Sequence, residues 1–448
     1  MKNIYLERLD TMLREGIDNE EELHRICEML HPAVLGQRLS ELDPEDAKAI
    51  LDRFMPENQA LVLSHFRKEK AGEIAELYMD EMLADIIELM PHDDRVDLIK
   101  QIPQERREKL LMKVEQPDRD DIMRLSMYEE ETAGSVMTSE FVTLRDTMTV
   151  EEALVSIRKV AKDRETIYNA YVVDGYNRLT GIVTLRELLL YAGGTKISDI
   201  MNTDVVFARD DEDQEVVANR LSEYDLIAMP VLDEQNKIMG IVTFDDVMDV
   251  RKEEATEDFH KMGSVGLMNI SLSDAPIKLL IYKRLPWLLV LVFMNIFSGA
   301  GIAFFEDTIE AVVALVFFLP LLIDSGGNAG AQASTLMVRA LATGEVKIRD
   351  WFRLFSKEIF VAVIIGIIMG VAVSLIGFFR AGPEVAVVVS LTMICCVTVG
   401  SLLGMSLPFL LQKFNFDPAT ASAPLITSIA DIAGVLMYFS IATWYLSI

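Results

Sequence analysis

The chain has 448 residues, 51% of them hydrophobic, and a formal net charge of −28. That length allows several domains, and so acidic a surface repels polyanions, which excludes nucleic acid as a partner and favours cations. The charge is unevenly placed: residues 1–280 hold 33 Lys+Arg against 60 Asp+Glu, whereas residues 281–448 hold 9 against 10. The three cysteines, Cys27, Cys395 and Cys396, form neither a disulfide framework nor a metal-ligand spacing.

The opening "MKNIYLERLDTMLREG" lacks the apolar core of a signal peptide, so the acidic part is expected to stay in the cytosol. Residues 1–130 read as an all-α N domain. "LDPEDAKAILDRFMP" at 42–56 recurs as "MPHDDRVDLIKQIP" at 90–103, each with prolines 12 residues apart, the copies offset by 47. Proline at a helix start followed by acidic first-turn residues is favourable. Apolar positions between the prolines follow helical spacing, so the segment predicts a superhelix of short helices that bury their core between neighbours.

Residues 131–250 contain a second repeat. "SVMTSEFVTLRDTMTVEEALVSI" and "YVVDGYNRLTGIVTLREL" parallel "DIMNTDVVFARDDEDQEVVANRL" and "PVLDEQNKIMGIVTFDDV". Met137 aligns with Met201 and Gly181 with Gly240. Each copy, about 131–192 and 193–250, reads as strand, helix, strand, turn, strand, helix. This tandem α/β pattern resembles a pair of cystathionine-β-synthase-type (CBS) domains. The resemblance implies an adenine nucleotide such as ATP as a candidate ligand, with Glu187 and Asp246 at the ribose and Arg186 at phosphate. The plainer reading is that Thr followed by an acidic residue is a helix cap.

Residues 251–280 form an acidic connecting segment that begins within "DDVMDVRKEEATEDFHKMGSVG". Asp246 and Asp249 share a helix face, as do Glu254 and Asp258. Such a run is either a solvated linker or a coupling helix, since it feeds directly into the apolar part.

From 281 onward five spans fit the length a bilayer requires: Leu285–Phe305, Ala311–Ile323 continuing past Asp324, Ile359–Phe379, Val385–Leu411 and Pro418–Ile448. Lys283, Arg284, Arg339, Lys347, Arg349, Arg353, Lys357 and Lys413 mark the cytosolic side, giving an N-terminus inside and a C-terminus outside. All five histidines precede the first span, so no HExxH metalloprotease site and no nucleophile–base pair is available there, and an enzyme is not expected. The remaining ionisable groups are chiefly Asp324, Asp417 and Asp431. An intramembrane carboxylate marks an ion pathway more often than a structural contact, and its oxygens suit hard cations. In "DSGGNAGAQAS", small residues around Asn328 let helices approach closely, or let a helix break beside a cavity.

"PLLIDSGGNAGAQASTLMVRALATGEV", "DPATASAPLITSIADIAGVLMYF" and "EATEDFHKMG" resemble the MgtE family of bacterial magnesium channels along essentially the whole chain. The resemblance implies a multi-pass homodimer in the cytoplasmic (inner) membrane, with Mg2+ both transported and regulatory. It implies a pore ion site at Asp431, with Asn328 and Ala423 shaping the passage. It further implies regulatory sites among Asp213, Glu215, Asp225, Asp246, Asp249, Glu254, Glu257 and Asp258, with Asp93 or Asp94. In that picture the connecting segment is a plug helix, and cytosolic Mg2+ clamps the acidic surfaces together and closes the pore. Two other functions fit the residues: an ion-coupled carrier of Mg2+, Mn2+ or Co2+, and a nucleotide-sensing CBS module on a membrane anchor.

Overall fold

A computed structural model describes residues 2–15, 20–162, 164–268, 272 and 275–447. Part of the connecting segment expected at 251–280 thus lies outside the described residues. The chain forms two compact units, 1–252 and 253–448.

The first unit opens with helices α1 (Lys2–Glu15) and α2 (Glu20–Met29). Eight short helices follow: α3 (Pro32–Leu39), α4 (Pro44–Leu51), α5 (Pro56–Leu63), α6 (Lys68–Glu76), α7 (Asp80–Glu88), α8 (His92–Gln101), α9 (Gln104–Leu111) and α10 (Gln116–Leu125). Proline holds the first position of α3, α4 and α5, where its missing N–H costs nothing. Each helix packs against the second one along, α3 on α5, α4 on α6 and so on to α8 on α10. Helices this short are not stable alone. Their apolar faces, among them Leu39, Leu51, Leu63, Ile74, Ile87 and Ile99, are buried only by stacking. The repeat unit is therefore a single helix, and the offset of 47 in the sequence spans four of them.

Two three-stranded sheets come next. In the first, β1 (Val142–Arg145) runs parallel to β2 (Asn169–Val173), which pairs antiparallel with β3 (Leu179–Thr184). In the second, β4 (Ala208–Arg209), β5 (Ala228–Leu232) and β6 (Ile238–Thr243) repeat that order and the same register irregularity. Helices α11 (Val150–Val160) and α12 (Leu185–Leu190) belong to the first copy, and α13 (Gln214–Glu223) to the second. The copies clasp reciprocally. A Cβ on Gly240 would lie 2.7 Å from the Met137 sulfur, and one on Gly181 2.9 Å from that of Met201. Helix α14 (Phe244–Met262) leaves the second copy and continues without a break to Met262, so the final CBS helix and the start of the connecting segment are one rod.

In the second unit five helices are long and apolar enough to cross a membrane: α15 (Ile277–Phe304), α17 (Ala314–Ala342), α18 (Trp351–Ala381) with the turn preceding it, α19 (Pro383–Lys413) and α20 (Ala423–Leu446). A short helix, α16 (Glu306–Ala311), joins the first two. α19 is the central rod and packs against α17, α18 and α20, whereas α15 touches α20 and buries none of its own residues. A helix apolar on all sides needs lipid or another protein around it. Four spans differ clearly from their sequence limits; α18, like α15, starts two turns early, at Trp351 rather than Ile359. α15 starts two turns early and carries Lys283 and Arg284 within the helix, where long side chains reach past the apolar zone. α17 is not broken at "DSGGNAG" but runs through it, because those glycines serve close packing. The fifth helix starts at Ala423, after a one-turn helix at Pro418–Thr420 capped by the Asp417 carboxylate, 2.8 Å from the Ala419 N–H.

Candidate ion pathway and acidic clusters

Helix α17 meets α19 and α20 through small residues. A Cβ on Gly330 would come within 2.7 Å of both the Gly400 carbonyl oxygen and the Ile426 side chain, and one on Gly327 within 2.8 Å of Thr427. Above this contact opens a recess of ≈ 240 Å³ lined by Leu319, Pro320, Ile323, Asp324, Thr427 and Asp431. Its lining holds two carboxylates and no basic residue. Asp431 Oδ1 is buried and, among the described residues, accepts no hydrogen bond. An orphaned carboxylate oxygen is costly and calls for a cation or water. Asn328, one turn from Asp324, does not line the recess itself. Its amide donates to Asp324 Oδ2 at 2.9 Å and so orients that carboxylate. Ala423, at the start of α20, does not line the recess.

The proposed regulatory residues fall into separate groups. Asp93 and Asp94, in the first turn of α8, meet Asp246 in the first turn of α14, and the Asp93 and Asp246 carboxyls hydrogen-bond one another. Asp97, Asp245 and Glu165 crowd the same place. Burial first, and then the neighbouring carboxylates, push Asp94 up to about 8, Asp246 up to about 9 and Glu165 up to about 7. Carboxyls this close share protons unless a cation replaces them. Beside them the His92 ring binds Asp121 (2.8 Å) and Ser139 (2.6 Å) through Nδ1, and Glu140 (2.9 Å) through Nε2. Arg95, only 1% exposed, pairs with Asp118 at 2.9 Å and Asp121 at 3.1 Å.

Asp249 is exposed on α14 and faces His65. Asp213 caps α13, accepting from the Glu215 and Val216 N–H groups, and Asp225 is exposed with φ 51°. Glu215 and Glu254 are half-buried on α13 and α14. Glu257 pairs with Lys261, and Asp258 lies beside Asp417. Among the described residues no three acidic, histidine or cysteine side chains form a ready metal cage.

At the nucleotide candidates, Glu187 Oε2 accepts from the Thr184 N–H at 2.7 Å and its hydroxyl at 2.8 Å, a complete capping box. Asp246 likewise binds the Thr243 hydroxyl at 2.5 Å. Arg186 is exposed.

The family models agree with this layout. The divalent cation transporter model MgtE matches residues 319–441, the MgtE intracellular N domain residues 30–131, and the CBS domain residues 133–194 and 197–253. The magnesium transporter MgtE of Thermus thermophilus is 41% identical over 322 residues, 72% of each chain. The chain belongs to the MgtE family. The MgtE of Enterococcus faecalis is 36% identical over 73% of this chain and 72% of its own. Two crystal structures match more than half of the chain. The cytosolic domain of an MgtE Mg2+ channel in complex with ATP is 37% identical at a TM-score of 0.51, and covers 54% of this MgtE chain and 98% of that one. The soluble part of a magnesium transporter is 31% identical at a TM-score of 0.52, and covers 57% and 100%.

Sequence reasoning left three features unread. Thr427 and Pro320 line the recess without a charge to mark them. The partners of the α17 glycines, Gly400 and Gly404, stand four apart, a spacing that flags close helix contact. Lys261 lies inside "EATEDFHKMG" among the acidic residues that drew attention instead.

Proposed function

We propose that this MgtE chain is a magnesium channel of the cytoplasmic membrane that imports Mg2+ and is closed by Mg2+ from the cytosolic side. The observation that carries the reading is the recess between α17 and α20, with Asp324 and the orphaned Asp431 oxygen on its wall. Two carboxylates without a basic partner attract a divalent cation that keeps its waters, which suits an ion that dehydrates reluctantly. The chain acts as a homodimer that sets two Asp431 carboxylates about one path. Its N-terminal domains face the cytosol, and its C-terminus lies outside. Asp93, Asp94 and Asp246 form the regulatory cluster with the strongest support, because a cation there relieves carboxyls that otherwise hold protons. Cation binding that joins α8 to α14 favours one arrangement by its differential affinity, and several sites steepen the response. Mg2+ uptake into liposomes, read by an enclosed dye, tests the path. Asp431→Asn abolishes uptake if the reading holds, and uptake at the wild-type rate refutes it.

A second reading concerns the CBS pair. The 37% identical cytosolic domain crystallised with ATP supports an adenine nucleotide here, with Arg186, Glu187 and Asp246 as ligands. Calorimetric titration of ATP into the full chain tests it. Arg186→Ala weakens binding at least about tenfold if its guanidinium meets phosphate.

A further inference from the structure

The end of α14 and the segment that opens α20 are fastened by side chains. The Lys261 ammonium pairs with Glu257, one turn earlier on α14, and with Asp417, 156 positions along the chain. Asp258 stands beside the same Asp417. Asp417 uses its other oxygen to cap the turn at Pro418–Thr420. Just beyond, the Ser264 hydroxyl donates to that of Ser422 at 2.6 Å, both buried, and Ser422 is the residue before the first turn of α20. Ser334 on α17 donates to the Ala421 carbonyl at 2.9 Å, which ties the same segment to the helix that lines the recess.

Three carboxylates thus face one ammonium. Burial opposes the charge on Lys261, but its hydrogen bonds to Asp417 and Glu257 outweigh that and raise its pKa above the ordinary value. Burial and the nearness of Asp417 raise that of Asp258.

We propose that Lys261 is a resident cation latch: its ammonium holds the end of α14 against the Asp417–Ser422 segment at the head of α20 without any divalent ion. Geometry carries the proposal. Two carboxylates from different elements converge on one side chain, and a buried hydroxyl pair closes the same junction. Its bearing on transport rests on the gating reading above. A divalent cation arriving at Glu257 and Asp258 meets a site already partly neutralised, so this junction stays shut at low Mg2+ and the Mg2+ response belongs mainly to the Asp93–Asp246 cluster. Lys261 is a positioning residue and touches no transported ion.

Hydrogen exchange of the full-length protein in detergent with EDTA tests the latch without reading transport, so its failure leaves the channel reading intact and the reverse also holds. Peptides covering 255–266 report the junction, and peptides covering β2 report that the chain is folded. In Lys261→Gln the junction amides exchange at least about tenfold faster than in the wild type, the size of one lost charge-assisted contact. Lys261→Arg retains wild-type protection, and added Mg2+ restores protection to Lys261→Gln by filling the emptied site. Equal protection of Lys261→Gln and wild type in EDTA overturns the proposal. So does equal loss of protection in Lys261→Arg and Lys261→Gln, which would assign the junction to shape rather than charge.

Discussion

Gly404 of α19 lies directly against the carbonyl of Gly330 on α17, and a methyl group at Gly404 would overlap that oxygen. The same holds one turn earlier for Gly400 and Gly326. Two backbones in contact fix how far α17 stands from the central rod, and hence where Asp324 sits. Gly404→Ala forces the helices apart, at a cost of roughly 1–3 kcal/mol for overpacking. Its melting temperature in detergent falls, and Mg2+ uptake falls with it. Gly299→Ala is the control, because a Cβ at Gly299 meets nothing within 4 Å. It leaves both quantities near wild type or raises stability by up to about 1 kcal/mol.

Arg95 is a buried cation that serves two carboxylates, Asp118 and Asp121. Arg95→Ala takes the guanidinium away from Asp118, while Asp121 keeps Arg124 and His92, and costs about 1–3 kcal/mol, the usual penalty for losing a part-buried charge-assisted hydrogen bond. Arg95→Lys recovers only part, since one ammonium cannot reproduce a two-pronged guanidinium. Thermal unfolding of the full chain, followed by circular dichroism, ranks wild type above Arg95→Lys above Arg95→Ala. Equal midpoints would contradict the packing described for α8 and α10.

The Asp93–Asp94–Asp246 cluster gives a pH dependence with a definite sign. Burial and mutual repulsion raise Asp94 to about 8 and Asp246 to about 9 from an ordinary 3.8. Between those limits the joined arrangement binds protons that the separated carboxylates release, so without metal its stability falls as pH rises from about 4 through about 9. Mg2+ replaces the protons. The rise in melting temperature on adding Mg2+ is therefore small at about pH 5 and largest near pH 9. Asp246→Asn flattens the trend. A Mg2+ effect of the same size across that range would contradict the assignment.

Much of this architecture can be read from local chemistry. Prolines twelve apart announce the short helices, and the alignment of Met137 with Met201 and Gly181 with Gly240 announces two like CBS copies, though not the reciprocal clasp between them. Asp431 betrays itself because a charge amid apolar residues has few structural excuses. Other features depend on partners distant in sequence. Asp93 and Asp246 lie 153 positions apart, and only the packing of α8 near the start of α14 gives the pair its meaning. Asn328 looks like a pore ligand by position, yet its amide is committed to Asp324. Glu187 looks like a ribose ligand by motif, yet one of its oxygens closes a helix cap. In both, a local hydrogen bond within one turn competes with the ligand role, and spacing alone does not separate the two.

The most direct test is a recording from the full-length chain reconstituted in a planar bilayer, with Mg2+ varied on the face that holds the acidic domains. A channel closed from the cytosol carries Mg2+ current at low Mg2+ on that face, loses it steeply as Mg2+ there rises, and carries none in Asp431→Ala. Wild-type current through Asp431→Ala, or a wild-type current indifferent to Mg2+ on that face, would contradict the channel reading.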